Sequence, residues 1–349
     1  MTIWFIAAWL FLAALVLYVL WVRLDLYRPW WFIAAAPFAF WLFAGGLIFP
    51  LAAAATGTGL LRGAPLLASV AVFWGHFFGI QRHARPAKLN GPRLRVMTAN
   101  LLDTNRRLAD MVEVIREENP DLLALQEVHP TQVRALREAL SASHPYEWFL
   151  PGPQMPTPGQ SEGMGILSRH PFQRLDVLQP DRAPGITGSV PNASNPTQVF
   201  ALNVDGAVID VLHIHPRIPV PRFCRVLGVP FPCGLDNSAR ERDVQAIIAR
   251  AKTLGNDAIL LGDMNATDQC REYQLLAREW RDAFRTVGRG LGMTFPVGVR
   301  FFGLPSPWPL FRIDYVLLRG AWRPVAARTG AMPGSDHRYV VADISWPHK

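Results

Sequence analysis

Acidic, amide and imidazole residues recur just after short apolar runs in the second part of this 349-residue sequence. The members of this set are Asn100, Glu127, His213, His215, Asp263, Asn265, Asp314, Asp336 and His337. Oxygen ligands with imidazoles and without cysteine favour Mg²⁺ or Mn²⁺ over Zn²⁺. A carboxylate-held divalent ion, a carboxylate that orients water, and amide or imidazole donors to oxyanions are the groups that phosphoester hydrolysis needs. The set therefore points to chemistry at phosphorus.

These residues follow β-rich runs that alternate with amphipathic helices from Leu94 onward. The predicted strands are Leu94–Asn100, Asp121–Gln126, Glu162–Arg169, Phe200–Ala201, Val208–His215, Ala258–Gly262, Arg312–Leu318 and Tyr339–Ile344, and the predicted helices are Arg107–Glu118 and Ala239–Thr253. Strand ends that lead into loops can present polar groups from a rigid sheet into one crevice. This order predicts a two-sheet α/β sandwich.

Each piece of the pattern also has an ordinary structural interpretation. Gly-Asp-x-Asn at 262–265 is commonly only a turn, Gln126-Glu127 can be a solvated strand end, and Ser335-Asp336-His337 can begin a helix. The occurrence of all these pieces in one order is harder to explain by structure alone.

The joint pattern resembles the endonuclease/exonuclease/phosphatase superfamily, which includes DNase-I-like nucleases and inositol polyphosphate phosphatases. The matching pieces are Met97–Leu101, Leu123–Val128, Gly165–Arg169, Leu212–Pro216, Gly262–Ala266, Arg312–Val316 and Gly334–His337. They extend over about residues 94–345 in the order that the family shows. The resemblance implies a four-layer α/β/β/α sandwich with the site at one edge.

The resemblance also implies a metal site. Glu127 would bind the catalytic ion, Asn100 would lie nearby and orient the metal or phosphate, and Asp336 would lie beside the ion. Apurinic nucleases of the superfamily carry an acid two residues after the asparagine, where this sequence has Leu102. Asp103 is adjacent, but on the opposite face of a strand, so the nuclease subtype is in question.

The catalytic roles carried over from the resemblance fall on four further residues. Asp263 would orient and deprotonate the attacking water, and Asn265 would donate to the phosphoryl oxygen. His337 would stabilise the phosphorane-like transition state, with its tautomer fixed by Asp314.

Two histidines compete for the remaining position. His215 matches the family's other histidine, which faces the leaving group or a phosphate oxygen. His213 lies two residues earlier and, on a strand, points to the same face. We favour His215.

The composition describes two different parts of the chain. Overall, 50% of residues are hydrophobic and 18% are charged, against about a quarter charged in ordinary soluble domains. Residues 1–82 contain four basic residues and one acid, which leaves a net charge of +5 for residues 83–349. Gly and Pro are scattered and only three cysteines are present, which excludes collagen-like, disordered and disulfide-dense classes.

Long uncharged stretches predict a membrane region followed by a catalytic domain. A bilayer core takes about 20 apolar helical residues. The predicted organisation is a transmembrane region over 1–82 with about three helices near 2–22, 30–52 and 64–81, a linker over 83–93, and the catalytic domain over 94–349. We interpret His76, within the third predicted span, as a helix-packing residue rather than a functional intramembrane group.

Three predicted spans make this a multi-pass protein. The excess of basic residues near the ends of the spans predicts that the catalytic domain is cytoplasmic. Cys224 and Cys233 allow the opposite side, because a disulfide between them would need an oxidising compartment. Two free thiols are an equally good interpretation, and an extracytoplasmic domain stays open.

These observations predict a membrane-tethered, Mg²⁺- or Mn²⁺-dependent phosphoester hydrolase. The lipid bilayer and a phosphorylated substrate are its expected partners, and no protein partner can be inferred. The apolar, Pro-rich stretch Pro216–Asp236 is predicted to be an exposed loop packing on itself, or alternatively a surface for the bilayer or a lipid tail. A lipid-linked phosphate, pyrophosphate or phosphodiester is therefore the expected substrate.

Two rival functions stay open. A membrane-anchored nuclease would act on nucleic acid, although no Lys/Arg run or aromatic-interleaved basic patch is present. A non-catalytic binding module would be expected to have lost members of the polar set, which are all present.

Overall fold

The structure is a computed structural model of the 349-residue chain. It describes residues 2–27, 29–56, 60–78, 91–150, 163–179, 195–226, 229–298, 300–301, 304–305 and 308–346. Residues 83–90 of the predicted linker over 83–93 lie outside the described residues. The domain boundaries that the sequence predicts stay a prediction.

Helices and strands alternate along most of the described chain. The helices are α1 (Thr2–Arg23), α2 (Trp30–Ala35), α3 (Ala39–Gly46), α4 (Ile48–Ala55), α5 (Leu60–Phe77), α6 (Leu108–Glu118), α7 (Pro130–Leu140), α8 (Ser238–Ala251), α9 (Arg271–Ala277) and α10 (Ala283–Val287), with a 3₁₀ turn at Ala36–Phe38. The strands are β1 (Arg93–Asn100), β2 (Leu122–Val128), β3 (Tyr146–Leu150), β4 (Gly163–Ser168), β5 (Phe172–Leu178), β6 (Thr197–Val204), β7 (Ala207–Ile214), β8 (Val220–Val226), β9 (Val229–Asp236), β10 (Ala258–Asp263), β11 (Arg281–Asp282), β12 (Arg300–Phe301), β13 (Leu304–Pro305), β14 (Asp314–Arg319), β15 (Arg323–Ala331) and β16 (Arg338–Ser345).

The chain forms two compact units. The first comprises Met1–Arg82, Pro221–Leu235 and Asp268–Gln274, and the second comprises His83–Val220, Asp236–Thr267 and Leu275–Lys349. The first unit contains helices α1 to α5, which pack largely through aromatic rings around Leu15, Phe73 and Phe77.

Two helical stretches of the first unit are long and apolar enough to cross a bilayer. They are Ile3–Arg23 and Trp30–Ala55, and only 11% and 17% of the residues in their most apolar windows are buried. The third span predicted from the sequence falls on α5, which has 18 residues and so extends about 27 Å, short of the about 30 Å of a bilayer core. Among the described residues, two helical stretches thus meet the length and hydropathy needed to cross a bilayer, and the third span stays a prediction.

Two six-stranded sheets form the second unit. Their strand orders are β15-β16-β1-β2-β4-β3 and β11-β14-β10-β7-β6-β5. Within the first sheet β1 and β2 are parallel, and within the second β7 and β10 are parallel. The carboxyl ends of each parallel pair therefore reach the same edge of their sheet.

Apolar cores lie on the faces of these sheets. The central core draws Val96 from the first sheet and Ile259 and Val316 from the second. A further core joins the first sheet to α6 and α7, and on the second sheet Arg319 of β14 donates to the carbonyl of Ala251 at the end of α8. Helix, sheet, sheet and helix form four layers, which confirms the fold expected from the sequence.

The stretch Pro216–Asp236 differs from the loop that was predicted. Its described residues form β8 and β9, a separate two-stranded sheet. β-Branched and aromatic residues favour strands, and prolines are tolerated on strands that have a free edge. The loop prediction was wrong for Val220–Val226 and Val229–Asp236, although Phe223, Val229 and Phe231 are exposed as expected.

A close approach of two strands requires glycine at position 262. Gly262 lies on β10 opposite Ile214 of the parallel strand β7. Its φ is 143°, and a Cβ built there would overlap the carbonyl oxygen of Ile214. The glycine of the Gly-Asp-x-Asn motif is therefore a packing requirement just before Asp263.

We expect Gly262→Ala to lower the free energy of unfolding by roughly 3 kcal/mol or more, because it adds both backbone strain and steric overlap. Gly206→Ala is the matched control, since Gly206 has a φ of 88° but open space around its Cβ position, and it should cost only about 1 kcal/mol. Denaturant unfolding of the full chain in detergent measures both values. Equal losses of unfolding free energy in the two variants would show that the overlap with Ile214 does not destabilise the fold.

Candidate active site

The polar residues of the site continue the inward faces of the two sheets. In β1, Leu94 and Val96 belong to the central core, and alternation places Asn100 on the same face. In β10, Ile259 and Leu261 belong to this core and Asp263 follows on the same face. Each strand is thus apolar along its length and polar where it ends.

β14 and β7 add residues to the same edge. Asp314 begins β14 and pairs in register with Asp263. His215 directly follows β7, on the face that carries Ile209 and Val211 in the central core. β10 pairs antiparallel with β14 and parallel with β7. Asp263 therefore has a carboxylate from β14 on one side and an imidazole that follows β7 on the other.

Glu127 reaches the site through an irregularity in its strand. Simple alternation would point it to the same face as Leu123 and Leu125, which pack toward the helices. The register of β2 shifts between Leu125 and Val128, and Glu127 has a left-handed φ of 53°. This conformation costs about 1–3 kcal/mol for a residue other than glycine, and it turns the carboxylate toward Asn100.

Asn100 joins the carboxylates of the two sheets. Its amide Nδ2 donates to Glu127 Oε1 at 2.8 Å and to Asp263 Oδ2 at 3.2 Å. Its own Oδ1 accepts from the backbone N–H of Leu102 at 3.1 Å. The buried Ser335 hydroxyl donates to the Asn100 carbonyl at 2.7 Å, so both ends of Asn100 are held.

His215 lies between two carboxylates. Its Nε2 is 3.8 Å from Glu127 Oε1 and 3.7 Å from Asp263 Oδ2. The Asn195 amide donates to Nδ1 at 3.1 Å, which leaves the proton of the neutral ring on Nε2. Burial lowers the pKa of His215, although Asp263 opposes this shift, so the ring is neutral near pH 7.

His213 serves a structural purpose instead. Its Nδ1 is 2.8 Å from Gln198 Oε1 and its Nε2 is 2.6 Å from Gln126 Nε2. Because an amide oxygen only accepts and an amide nitrogen only donates, both ring nitrogens are occupied in one neutral tautomer. Complete burial lowers the pKa of His213 to about 3. The geometry thus favours His215 for chemistry.

His337 is held as a cation. Its Nδ1 donates to Asp314 Oδ2 at 3.0 Å, and its Nε2 is 3.8 Å from Asp263 Oδ2. Burial alone would lower the pKa of His337, but Asp314 and Asp263 outweigh burial and raise it to about 10. The ring of Phe295 packs against the imidazole with 4.7 Å between the centroids.

Asn265 occupies the turn after β10. Its φ is 52°, and its backbone N–H donates to Asp263 Oδ1 at 2.8 Å. Its side-chain Nδ2 donates to the carbonyl of Pro216 at 3.0 Å. Because an amide nitrogen carries two N–H donors, the second can serve another acceptor.

The carboxylate oxygens of Glu127, Asp263 and Asp314 fit a hard divalent cation, and the imidazoles of His215 and His337 lie beside them as hydrogen-bond donors. Ligand atoms lie within 4.8 Å of one another in two groups of described residues, Glu127–His215–Asp263 and Asp263–Asp314–His337. Burial, followed by the neighbouring Asp314, raises the pKa of Asp263. Among the described residues, none donates to the second oxygen of Asp314, Oδ1, which is buried. Crowded carboxylates with too few donors are the environment that a cation stabilises.

Asp336 lies beside this cluster rather than in either group of ligand atoms. It is partly buried, and its charge raises the pKa of both Glu127 and His337. The sequence assigned no role to Asn195, Gln126, Gln198 or Ser335, which hydrogen-bond to His215, His213 and Asn100. Apart from Asn195 and Gln198, these residues lie far apart in sequence, and the fold brings them together.

Comparisons with known proteins give the family of the chain and its fold. A model of the Endonuclease/Exonuclease/phosphatase family matches residues 90–337, which include every site residue described above. No curated protein matches the chain.

Several solved structures share the fold. An endonuclease/exonuclease/phosphatase from Beutenbergia cavernae DSM 12333 has a TM-score of 0.56 at 22% sequence identity, over 73% of this chain and 72% of that chain. The mannosyl-6-phosphatase of Bacteroides thetaiotaomicron VPI-5482 has a TM-score of 0.54 at 17% identity, over 72% and 100% of the two chains. D. rerio TDP2 complexed with a single-strand DNA product has a TM-score of 0.50 at 16% identity, over 72% and 99%. At these identities the similarity concerns the fold.

We expect binding of a divalent ion to weaken as the pH falls below neutral. Burial raises the pKa of Glu127 to about 7, although the hydrogen bond from Asn100 opposes this shift. A proton on Glu127 competes with the ion, so affinity for Mn²⁺ should be roughly tenfold lower at about pH 6 than at about pH 8. Isothermal titration calorimetry of the full chain in detergent measures this ratio. Glu127→Gln should bind weakly at both pH values, and a parent affinity that does not change with pH would contradict the assignment.

Proposed function

The chain belongs to the Endonuclease/Exonuclease/phosphatase family, a family of metal-dependent phosphohydrolases and nucleases, and from this premise we propose that it is a membrane-tethered, Mg²⁺- or Mn²⁺-dependent phosphoester hydrolase in which water attacks phosphorus. The observation that carries the proposal is the convergence of Glu127, His215 and Asp263 from both sheets, with Nε2 of the histidine less than 4 Å from each carboxylate.

Asp263 is the proposed general base. It is buried, and burial raises its pKa, which makes the carboxylate a stronger base than an exposed aspartate. The hydrogen bonds from Asn100 and from the Asn265 backbone fix its two oxygens. We assign to it the proton of the water that attacks phosphorus.

Three donors surround the position of the phosphoryl group in this proposal. His337 is cationic near neutral pH because its pKa is about 10, and it would stabilise the negative charge that develops on phosphoryl oxygens. Neutral His215 would donate from Nε2 to a phosphate or leaving-group oxygen. Asn265 would donate through its second N–H, and loss of one such donor typically costs about 3 kcal/mol of transition-state stabilisation.

Glu127, with Asn100 and Asp336 beside it, would hold the divalent ion. The bound ion would neutralise phosphate charge and polarise a phosphoryl oxygen. The ligand atoms support this assignment: carboxylate oxygens predominate, and within the described part of the chain the buried Asp314 Oδ1 accepts no hydrogen bond.

Asp263→Asn should lower Mg²⁺-supported turnover at least about a thousandfold while leaving the thermal unfolding transition in place, because an amide cannot take a proton from water. Purified full-length protein in detergent would be screened against prenyl pyrophosphates, phospholipids, DNA and RNA. Preferred turnover of DNA or RNA would favour the nuclease alternative over a lipid-linked substrate.

Asp176→Asn is the matched control, since Asp176 is an exposed carboxylate paired with Arg250 at 3.1 Å. This variant should retain parental turnover. Retention of activity within tenfold by Asp263→Asn would remove Asp263 from the mechanism.

The membrane anchor is supported by the two apolar helical stretches of the first unit. A long apolar helix in a soluble core would be mostly buried, whereas only 11% and 17% of the residues in the most apolar windows of these two are buried. The excess of basic residues after the last predicted span assigns the catalytic domain to the cytoplasmic side, and a reporter fused to the C-terminus would identify that side directly.

A lipid-linked phosphate, pyrophosphate or phosphodiester is the proposed substrate class. The hairpin formed by β8 and β9 exposes Phe223, Val229 and Phe231 by 64%, 64% and 59%. The two strands carry two arginines, Arg222 and Arg225, and one acid, Asp236, at the end of β9. Exposed aromatic side chains with flanking cations suit the interface of a bilayer that carries phosphate headgroups.

Replacing both exposed rings, Phe223→Ser with Phe231→Ser, should reduce turnover of a bilayer-embedded substrate about tenfold or more and leave turnover of a soluble chromogenic diester within twofold. Val208→Ser, which changes an apolar residue of β7 with similar exposure, is the control. Turnover of the two substrates in nanodiscs and in solution gives the comparison. Equal losses on both substrates would contradict a lipid-facing hairpin.

A further inference from the structure

A cluster of buried polar side chains lies between the central apolar core and the candidate active site. Alternation places its members on the inward faces of their strands, next to residues of that core. They are completely buried and comprise Thr98 on β1, Gln126 on β2, Gln198 on β6 and His213 on β7. Thr98 comes two residues before Asn100 and His213 two residues before His215, so this polar cluster adjoins the site. All of these residues belong to the second compact unit.

A chain of hydrogen bonds crosses twice between the two sheets through the polar cluster. Gln126 of the first sheet donates from Nε2 to Nε2 of His213 in the second sheet at 2.6 Å. His213 Nδ1 donates to Gln198 Oε1 at 2.8 Å, and Gln198 Nε2 donates at 2.8 Å to the carbonyl of Trp148, which is again in the first sheet. The Thr98 hydroxyl accepts a further bond from Gln126 Nε2 at 3.0 Å.

The Trp148 carbonyl fixes the direction of these bonds. A carbonyl oxygen only accepts, so Gln198 must turn its amide nitrogen to Trp148 and its amide oxygen to His213. The imidazole then carries its proton on Nδ1 and accepts at Nε2. One arrangement thus satisfies the buried groups. A shift of one sheet along the other would break both cross-sheet bonds and leave buried polar groups unpaired, which is unfavourable in an apolar interior.

The apolar core defines the alignment of the sheets less sharply. Apolar side chains such as Val96 and Ile259 attract one another without directional preference, whereas a hydrogen bond depends steeply on distance and angle. The site needs a sharp alignment, because Glu127 comes from the first sheet and His215 and Asp263 from the second. Nε2 of His215 is only 3.8 Å from Glu127 Oε1 across the sheets, and a displacement of about 1 Å can reduce a rate about a hundredfold.

We propose that Gln126, His213 and Gln198 are positioning residues for hydrolysis: their cross-sheet hydrogen bonds fix the alignment of the two sheets and thereby the distance between Glu127 and His215. Apolar side chains of similar volume could fill the same space about as stably, but they would not select one alignment. This inference rests on the proposed function, since it concerns the metal binding and turnover of that same site. It gives His213 a purpose in hydrolysis without any contact with the substrate.

The first test replaces the three positioning side chains together in the full chain, as Gln126→Leu with His213→Leu and Gln198→Leu. Because the partners are removed together, the unfolding temperature should fall less than in His213→Leu alone, which leaves both glutamines without their imidazole partner. In the triple variant, kcat on a soluble chromogenic phosphodiester should nevertheless fall about tenfold or more. Its affinity for Mn²⁺, measured by isothermal titration calorimetry in detergent, should also fall about tenfold, because the ligands from the two sheets no longer meet.

His213→Gln is the conservative variant. A glutamine side chain offers one acceptor and one donor group, as the neutral imidazole does, so this variant should recover part of the kcat and of the Mn²⁺ affinity that His213→Leu loses. Equal values for His213→Gln and His213→Leu would contradict the inference, and this comparison stays decisive even where the triple variant does not fold.

His144→Leu is the matched control. His144 is also a buried histidine of the second unit, but its ring bonds to the Ser143 hydroxyl and the Pro120 carbonyl, at 2.9 Å each, and both partners lie outside the two sheets. The control should lower the unfolding temperature and leave kcat and Mn²⁺ affinity within twofold of the parent. Losses as large as those of His213→Leu would assign the effect to destabilisation alone and overturn the inference.

The two readouts separate failure of the inference from failure of the proposed function. A folded triple variant with parental kcat and parental Mn²⁺ affinity would overturn the inference. A parent chain that binds Mn²⁺ but hydrolyses no phosphoester would overturn the proposed function, and the Mn²⁺ affinities of the variants would still decide whether the polar cluster aligns the site. A parent chain that neither binds Mn²⁺ nor hydrolyses a phosphoester would overturn both.

Discussion

The crowding of carboxylates at one buried edge is the constraint on which the site depends. Asp263 and Asp314 are register partners on adjacent strands, and Glu127 comes close to Asp263 from the other sheet through Asn100. Like charges in a buried setting raise each other's pKa and destabilise the folded state unless cations or donors compensate. Here the His337 imidazolium and the Asn100 amide compensate in part, and a divalent ion would supply the remaining positive charge. The same imbalance that costs stability is what makes the edge suitable for a cation and a phosphate.

The fold tolerates this imbalance because the sheets are rigid and apolar up to the edge. Val96, Ile259 and Val316 fill the space between the sheets, so the polar residues at the strand ends cannot spread apart without opening the core. Two of the site residues, Glu127 and Asn265, have left-handed backbone conformations, which costs energy that regular packing elsewhere must offset. Strain therefore coincides with the places where a side chain must leave the regular direction of its strand.

The sequence was sufficient for the frame and for the side chains that follow regular strands. Asn100 and Asp263 end apolar, alternating strands, so their common location could be predicted from spacing alone. Residue type and position at a strand end also singled out Glu127, but its direction could not be predicted, because alternation points it away and the bulge in β2 has no local signal. Asn195 lies in a stretch without periodic pattern, and the contact between Gln126 and His213 joins residues that are far apart in the chain. Helix α7 was missed because His129, an uncommon residue at this position, forms its N-terminal capping box with Gln132. Local patterns thus predicted strands and their ends, whereas contacts set by tertiary packing required the structure.

The most direct measurement is the anomalous scattering of Mn²⁺ in crystals of the full chain. The account predicts a strong peak about 2.0–2.5 Å from a carboxylate oxygen of Glu127, on the side that faces His215 and Asp263. Replacement of Glu127 by glutamine should weaken that peak while leaving the sheets in place. A peak located only elsewhere on the molecule, or the absence of any peak at saturating Mn²⁺, would contradict the claim that these separate strand ends form one cation-binding site for phosphoester hydrolysis.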